Sequence, residues 1–504
     1  MKQNNKKDHS KYNGIIIKGL DNIKKGEINA AISNFQEAIN LNSLDYKAFI
    51  NLANAYILTN KLDLAINILF KFLREKKFEK NIANHLADIC FHYKLYDYLL
   101  DLFNFCKTES NKKKEIEYIL FVQGKYFEHI KEHKKAIKSY KASVQKNKNS
   151  FKTYELLLNL LESVNDIDNL EKYTKLALRY IVDSKNYKII LFFQSLLLYR
   201  KKNYKKVELL IKQNNLLTEL SNTSKYYIKV LDLLSKNSER LNKYDDAFKF
   251  IENRNNFEKN LKENKKFSSN LIIETIEKYK KFYTKDNFKS ICDRLEYNDD
   301  SNLVFLVGFP RSGTTLLDTI LRSHSQIKVL EERPVLLDLR HNFFEKNNNN
   351  LFSLKNISQR EKDFIRNSYF EEMGLTNIKS NEIIIDKLPL SIIELGFIKC
   401  IFPTSKIILA LRNPNDVIIS CFFSSFKIND AMINFLDWNN TINLYDKTFE
   451  LYEFYENELK LNCFKIKYEN VVNNFKDEIK SLLQYLDVPY EKDLENFYIT
   501  AQKR

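Results

Sequence analysis

The densest chemistry in the chain lies in Gly308-Phe309-Pro310-Arg311-Ser312-Gly313-Thr314-Thr315. Two glycines bracket a guanidinium, and three hydroxyl side chains (Ser312, Thr314 and Thr315) follow it closely. Such a set suits an oxyanion. Glycine lets backbone N–H groups come close, hydroxyls donate further hydrogen bonds, and arginine keeps its charge. The spacing Gly308-x-x-x-x-Gly313 opens like the P-loop pattern G-x-x-x-x-G-K-[ST], but Thr314 stands where the lysine belongs. Without that lysine the loop is poorly equipped to bridge two phosphates, yet it can hold one.

Other candidates follow downstream. Glu331 and Glu332 are adjacent carboxylates after the strand-like run Ile327–Leu330, and either can serve as a general base. Lys387 stands directly after the apolar run that ends at Asp386, the right place for a ligand contact if that run is a parallel strand. Arg412 ends a third apolar run, Lys406–Leu411, and Ser420 follows it by eight positions on the next helix, so both can reach one phosphate. His324, in the turn after the first helix, reads as structural. Asp386 is the one residue that could serve a magnesium-dependent kinase reading.

These side chains need strands and helices to place them. Leu303–Val307 reads as a buried strand, with a helix from Thr314 to about Arg322. Strands are also expected at 381–386, 406–411 and 463–467, with helices at 358–373, 391–401, 434–458 and 471–486. Alternation of this kind predicts a parallel α/β sheet with ligands at the strand C-termini.

Upstream the composition changes. All six prolines (Pro310, Pro334, Pro389, Pro403, Pro414, Pro489) lie beyond residue 309, which leaves a long proline-free stretch suited to helix packing. Within it Gly19 and Ala53, and Ala31 and Ala65, are each 34 positions apart, and Ala87 continues the register. A 34-residue period with small interior residues is the tetratricopeptide pattern. Gly124 with Ala136, Ser195 with Val207, and Ser235 with Ala247 keep the offset of 12 seen between Gly19 and Ala31. The expectation is a solenoid of roughly seven helix pairs over residues 12–265. Residues 1–11 are expected to be disordered, and 266–301 to be a linking helix and polar turn. The concave face of the repeats is a candidate site for a protein or peptide partner.

The net charge of +16 is spread over lysines interleaved with glutamates, which reads as solvated helix faces rather than a nucleic-acid surface. The six scattered cysteines contain no C-x-x-C pair and read as reduced thiols. No run reaches transmembrane length, and the first ten residues lack a signal-peptide core, so the expected location is cytoplasmic. The histidines of the repeats (His85, His92, His129, His133) lack metal-site spacing, and no metal is expected.

Residues 302–504, with Pro-Arg-Ser-Gly-Thr-Thr at 310–315 as signature, resemble the sulfotransferase family, in pattern the tyrosylprotein sulfotransferase branch. The whole chain is similar to bacterial-type proteins in which tetratricopeptide repeats precede such a domain. The resemblance implies 3′-phosphoadenosine 5′-phosphosulfate as co-substrate, without a metal. It implies that Arg311, Ser312, Gly313, Thr314 and Thr315 hold the 5′-phosphosulfate, and that Arg412 and Ser420 hold the 3′-phosphate. It further implies Glu332 as catalytic base, Lys387 and Arg311 as catalytic stabilisers of the leaving group, and Tyr468 as a nucleotide contact. The acceptor hydroxyl is left open among protein tyrosine, glycan and small molecule. The family continues past the point matching Ala501-Gln-Lys-Arg504 with further serine and basic contacts, so either the sequence is a fragment there or those contacts come from elsewhere, and a chain complete at Arg504 is expected to bind nucleotide weakly. The alternative function is a repeat-based protein-binding scaffold with an inert transferase domain.

Overall fold

A computed structural model describes residues 2–75, 79–93, 95–108, 116–296, 300–330, 332–348, 350–375 and 382–499. They form two compact units, divided between Leu241 and Asn242.

The first unit is helical. Its helices pair into hairpins: Lys2–Lys24 with Ile28–Leu41, Tyr46–Leu58 with Leu62–Glu75, Lys80–His92 with Tyr96–Thr108, Ile116–His129 with His133–Lys146, Phe151–Ser163 with Ile167–Tyr180, and Ser184–Arg200 with Tyr204–Gln213. The small residues of the 34-residue pattern sit where the paired helices come closest. A Cβ on Gly19 would lie 2.4 Å from the Phe35 ring, and one on Gly124 would lie 2.4 Å from the Tyr140 ring. In both cases the aromatic comes 16 positions later. The turn inside each hairpin has its own periodic residue. Gly26, Asn60, Lys131, Asn165 and Lys202 all take positive φ, each seven positions after the small or apolar residue at 19, 53, 124, 158 and 195. Glycine and asparagine tolerate that left-handed conformation best.

Two expectations change here. Lys2–Lys24 is one helix, although the polar composition of residues 1–11 suggested disorder; the segment contains no proline to stop a helix that continues into the packed turns around Tyr12. The helix Tyr244–Lys259, expected to close the repeats, belongs to the second unit.

The second unit holds a five-stranded parallel sheet. Its strands are β1 (Leu303–Gly308), β2 (Ile327–Leu330), β3 (Ile383–Lys387), β4 (Lys406–Leu411) and β5 (Cys463–Lys467), in the order β2-β3-β1-β4-β5. The strand-like run at 327–330 is therefore a true edge strand. The central strands are mostly apolar because both faces are covered, with Asp386 and Lys387 at the end of β3 as the buried charged exceptions inside the sheet. Leu303, Phe305, Val307, Ile384, Ile407 and Leu409 enter one core. Val304, Leu306, Ile383, Ile385, Ile408, Ala410 and Ile466 enter the other. The segment expected as a linker is part of this unit: Ile276, Tyr279, Phe282 and Tyr283 on Ser269–Phe282 and its C-cap are buried in the first of these cores. Spacing of three and four places them on one helix face.

Registers bring the site's strand ends level. Leu306 of β1 lies opposite Lys387 of β3, and Gly308 lies opposite Ala410 of β4. Several expected helices are broken: 391–401 begins as a 3-10 turn, Pro389–Glu394, and 471–486 divides into Tyr468–Asn473 and Phe475–Leu486.

Candidate active site

The loop between β1 and the helix Thr314–Leu321 folds tightly over the C-terminal ends of β1 and β4. Arg311 and Gly313 both sit in the left-handed region, at φ 70° and 95°. For arginine that conformation is strained, and strain of this kind is retained where the surrounding structure imposes it. Neither glycine has room for a side chain. A Cβ on Gly308 would stand 2.6 Å from the Ala410 carbonyl oxygen and 2.8 Å from Ser312 Oγ, and one on Gly313 would stand 2.7 Å from the Tyr468 ring.

The loop opens on a cavity of about 400 Å³. Arg311, Gly313, Thr314, Thr315, Glu332, Arg412 and Tyr468 line it, together with Leu316, Leu388, Pro389, Leu390, Phe426 and Met432. The other three expected residues lie directly behind this lining. Ser420 Oγ accepts a hydrogen bond from Arg311 Nε at 3.0 Å. Lys387 Nζ donates to Glu332 Oε1 at 2.5 Å. Ser312 Oγ is buried with no hydrogen-bond partner. A buried hydroxyl left open beside a glycine-lined loop is what an incoming oxyanion would satisfy.

Arg412 is held by its neighbours. Its guanidinium stacks 4.7 Å from the Tyr468 ring centroid, Nη1 reaches the Arg311 carbonyl at 3.5 Å, and Nη2 lies 3.3 Å from Asp416 Oδ2. The strand ends are tied alongside, because the Asn413 N–H donates to Glu469 Oε1 at 2.8 Å. Asn413 also caps the helix Pro414–Phe423 through Asn415 N–H. Ser420 thus pairs with Arg311 rather than directly with Arg412, so the two expected phosphate groups of residues meet in one cluster.

Period-two alternation separates two adjacent charged residues on β3. Lys387 turns to the face carrying the loop helix. It is 2% exposed, and its Nζ lies between Glu332 and Asp318 Oδ2, the latter at 3.7 Å. Asp386 turns the other way and accepts a hydrogen bond from the Tyr369 hydroxyl at 2.8 Å. Burial pushes its carboxyl up to about 6, partly offset by that bond. It does not stand beside the loop, where a magnesium-holding aspartate would be needed. His324 is pinned away from the cavity. Nε2 meets the Pro489 carbonyl at 2.7 Å and Nδ1 accepts from the Gln326 N–H at 3.1 Å, an arrangement that uses both ring nitrogens. Glu331 and the terminal residues 501–504 lie outside the described residues.

Asp318 was missed by sequence reasoning. It is fully buried, pairs with Arg322 Nε and faces Lys387. The signal was available: it is the lone charge in the otherwise apolar and hydroxyl-bearing helix TTLLDTIL. The apolar wall, from Leu388 to Leu390 with Phe426 and Met432, comes from segments with no motif of their own.

Residues 303–492 match the model of the sulfotransferase family. The C-terminal domain resembles that family. Protein-tyrosine sulfotransferase A of Caenorhabditis elegans is 25% identical to the chain over 205 residues, which covers 39% of this chain and 52% of that protein. Protein-tyrosine sulfotransferase 1 of Danio rerio is 23% identical over 198 residues, covering 38% and 55%. The chain spans about half the length of these curated relatives. A solved sulfotransferase domain from the curacin biosynthetic pathway aligns with a TM-score of 0.28 at 20% identity, over 39% of this chain and 77% of that one. The sulfotransferase match begins at β1 and runs through β5, and so contains every candidate site residue.

Among the described residues, no helix is long and apolar enough to cross a membrane, and no group of three or more His, Cys, Asp or Glu side chains is placed to hold a metal ion.

Proposed function

We propose that the chain is a sulfotransferase that moves a sulfuryl group from 3′-phosphoadenosine 5′-phosphosulfate to an acceptor hydroxyl on a protein, a glycan or a small molecule. One observation carries the reading: a single cavity joins an oxyanion loop, two guanidinium groups and a carboxylate paired to a buried lysine. The family match over the same residues supports it.

The residues divide by charge. Arg311, Ser312, Gly313, Thr314 and Thr315 are assigned to the 5′-phosphosulfate, since the loop offers both N–H groups and an unpartnered buried hydroxyl. Arg412 and Ser420 are assigned to the 3′-phosphate, with Tyr468 as a nucleotide contact. Glu332 is the base. In the transfer, the acceptor oxygen forms a bond to sulfur, the bond from sulfur to the bridging phosphate oxygen breaks, and the acceptor proton passes to the Glu332 carboxylate. Negative charge grows on the departing phosphate, where Lys387 and Arg311 stabilise it. The repeats are assigned the recognition of a protein or peptide, as acceptor or partner. A reducing, cytoplasmic setting is assigned from the sequence, whose six cysteines are scattered with no C-x-x-C pair.

Calorimetric titration with adenosine 3′,5′-bisphosphate, against ATP with magnesium, tests the nucleotide site. Selective bisphosphate binding that is lost in Arg412→Ala is the expected result. A preference for ATP would point to a kinase, and binding of neither would point to a scaffold. An acceptor screen with labelled phosphosulfate then tests turnover.

A further inference from the structure

We infer that Arg254, on the helix Tyr244–Lys259 that ends the repeat pattern, is a positioning residue for the anion loop and acts through the last turn of the helix that carries Ser420. The inference rests on the assignment of Arg311 and Ser420 to nucleotide phosphate.

A helix leaves its last four carbonyls without partners inside the helix. For Pro414–Phe423 all four have partners from outside the regular helical ladder. Ser420 O accepts from Ser424 Oγ at 2.6 Å, and Cys421 O accepts from Ser424 N–H at 3.2 Å. Phe422 O accepts from Arg254 Nη2 at 3.1 Å and Asn255 Nδ2 at 3.0 Å. Phe423 O accepts from Arg254 Nη1 at 3.1 Å. Arg254 Nη2 also lies 3.4 Å from Ser424 O. Arg254 is 1% exposed, and its guanidinium fork is oriented by Asn255 Oδ1, which accepts from Nε at 3.0 Å and from Nη2 at 2.7 Å.

A planar cation at a helix C-terminus meets both the unpaired carbonyls and the negative end of the helix dipole. The turn held this way is the one that grips the loop. Ser420 Oγ takes Arg311 Nε at 3.0 Å, and Cys421 Sγ donates to Pro310 O at 3.3 Å. Arg254 therefore fixes the carbonyl side of a turn whose side chains hold Pro310 and Arg311. Phe248, two turns earlier on the same helix, stacks on Phe422 at 5.2 Å and seats the two helices together. Lysine could not reproduce the arrangement, because a single ammonium lacks the flat fork that spans adjacent carbonyls.

The test uses the full chain and Arg254→Lys, which keeps the charge. Hydrogen exchange without nucleotide is measured first. Faster exchange in the variant over the Gly308–Thr315 loop, at a temperature well below its unfolding, is expected; unchanged loop exchange would overturn the inference. Bisphosphate affinity is measured next in a cycle with Ser420→Ala. Arg254→Lys should weaken binding roughly tenfold in the wild-type background, about the net contribution of one hydrogen bond to the nucleotide. It should add little once Ser420 is gone. Equal losses in both backgrounds, or a lower melting temperature with unchanged affinity, would mean a structural role alone. If the wild-type chain binds no bisphosphate, the phosphate assignment fails, and loop exchange still decides whether Arg254 positions the loop.

Discussion

At the scale of single residues the site is a set of compensated charges. Lys387 is buried, and a buried ammonium is costly unless paired. Glu332 pairs it on the cavity side and Asp318 on the core side. Removing Glu332 leaves one partner in place. Glu332→Ala should therefore fold and bind bisphosphate nearly as the wild type does, while turnover falls by about 10²–10⁴. Single-turnover kinetics with labelled phosphosulfate checks this, and an unchanged rate would remove Glu332 from the role of base.

Asp386 supports a pH prediction. Its carboxyl is raised by burial to about 6, above its ordinary 3.8. A carboxyl raised on folding favours the folded state most fully below the unfolded value, and this contribution is lost as pH rises through the folded one. Between about pH 4 and 6, rising pH should cost the wild type stability on the order of 2–3 kcal/mol from this group. Asp386→Asn should lack that component, which denaturant melts across the range will reveal.

At the scale of elements, two glycines in the same helix type should respond in opposite directions. Gly14 lies in the helix Lys2–Lys24, and a Cβ there would meet nothing within 4 Å. Gly14→Ala should stabilise by about 0.5–1 kcal/mol through helix propensity alone. Gly124 faces the Tyr140 ring, whose hydroxyl is fixed by donation to Glu128 Oε2 at 2.7 Å. There the clash dominates, and Gly124→Ala should destabilise by about 1–3 kcal/mol. Chemical denaturation of the two variants side by side is the check. In the second unit, Gly313→Ala meets both a positive φ and the Tyr468 ring. It should cost about 1–2 kcal/mol from backbone conformation alone, and weaken bisphosphate binding as Tyr468 moves.

At the scale of the whole molecule, each compact unit has its own buried core, one made of helix hairpins and the other built around a sheet. A ligand stabilises what binds it, by about 2.7 kcal/mol at a hundred times its dissociation constant. Bisphosphate should therefore raise the unfolding transition of the second unit and leave that of the first in place. Scanning calorimetry with and without bisphosphate separates the two. A uniform shift of both would mean that the units unfold together.

Short-range physics made much of this protein legible from its residues. Five apolar residues before a glycine loop make a buried strand and a turn whatever surrounds them, and a 34-residue period of small residues makes stacked hairpins because close helix approach excludes larger side chains. The loop, Glu332, Lys387, Arg412, Ser420 and Tyr468 could be named on that basis and on family resemblance. Only the tertiary structure decided which face each side chain uses. Strand alternation and register send Lys387 to the loop and Asp386 into the opposite core, and they bring Asp318 beneath the lysine. Only the tertiary structure placed Tyr244–Lys259 within the second unit, because its pattern is that of a repeat helix and its assignment depends on Arg254 and Asn255 meeting carbonyls more than 160 positions away. Periodicity along a chain reports which residues share a face. It carries no information about what that face will meet.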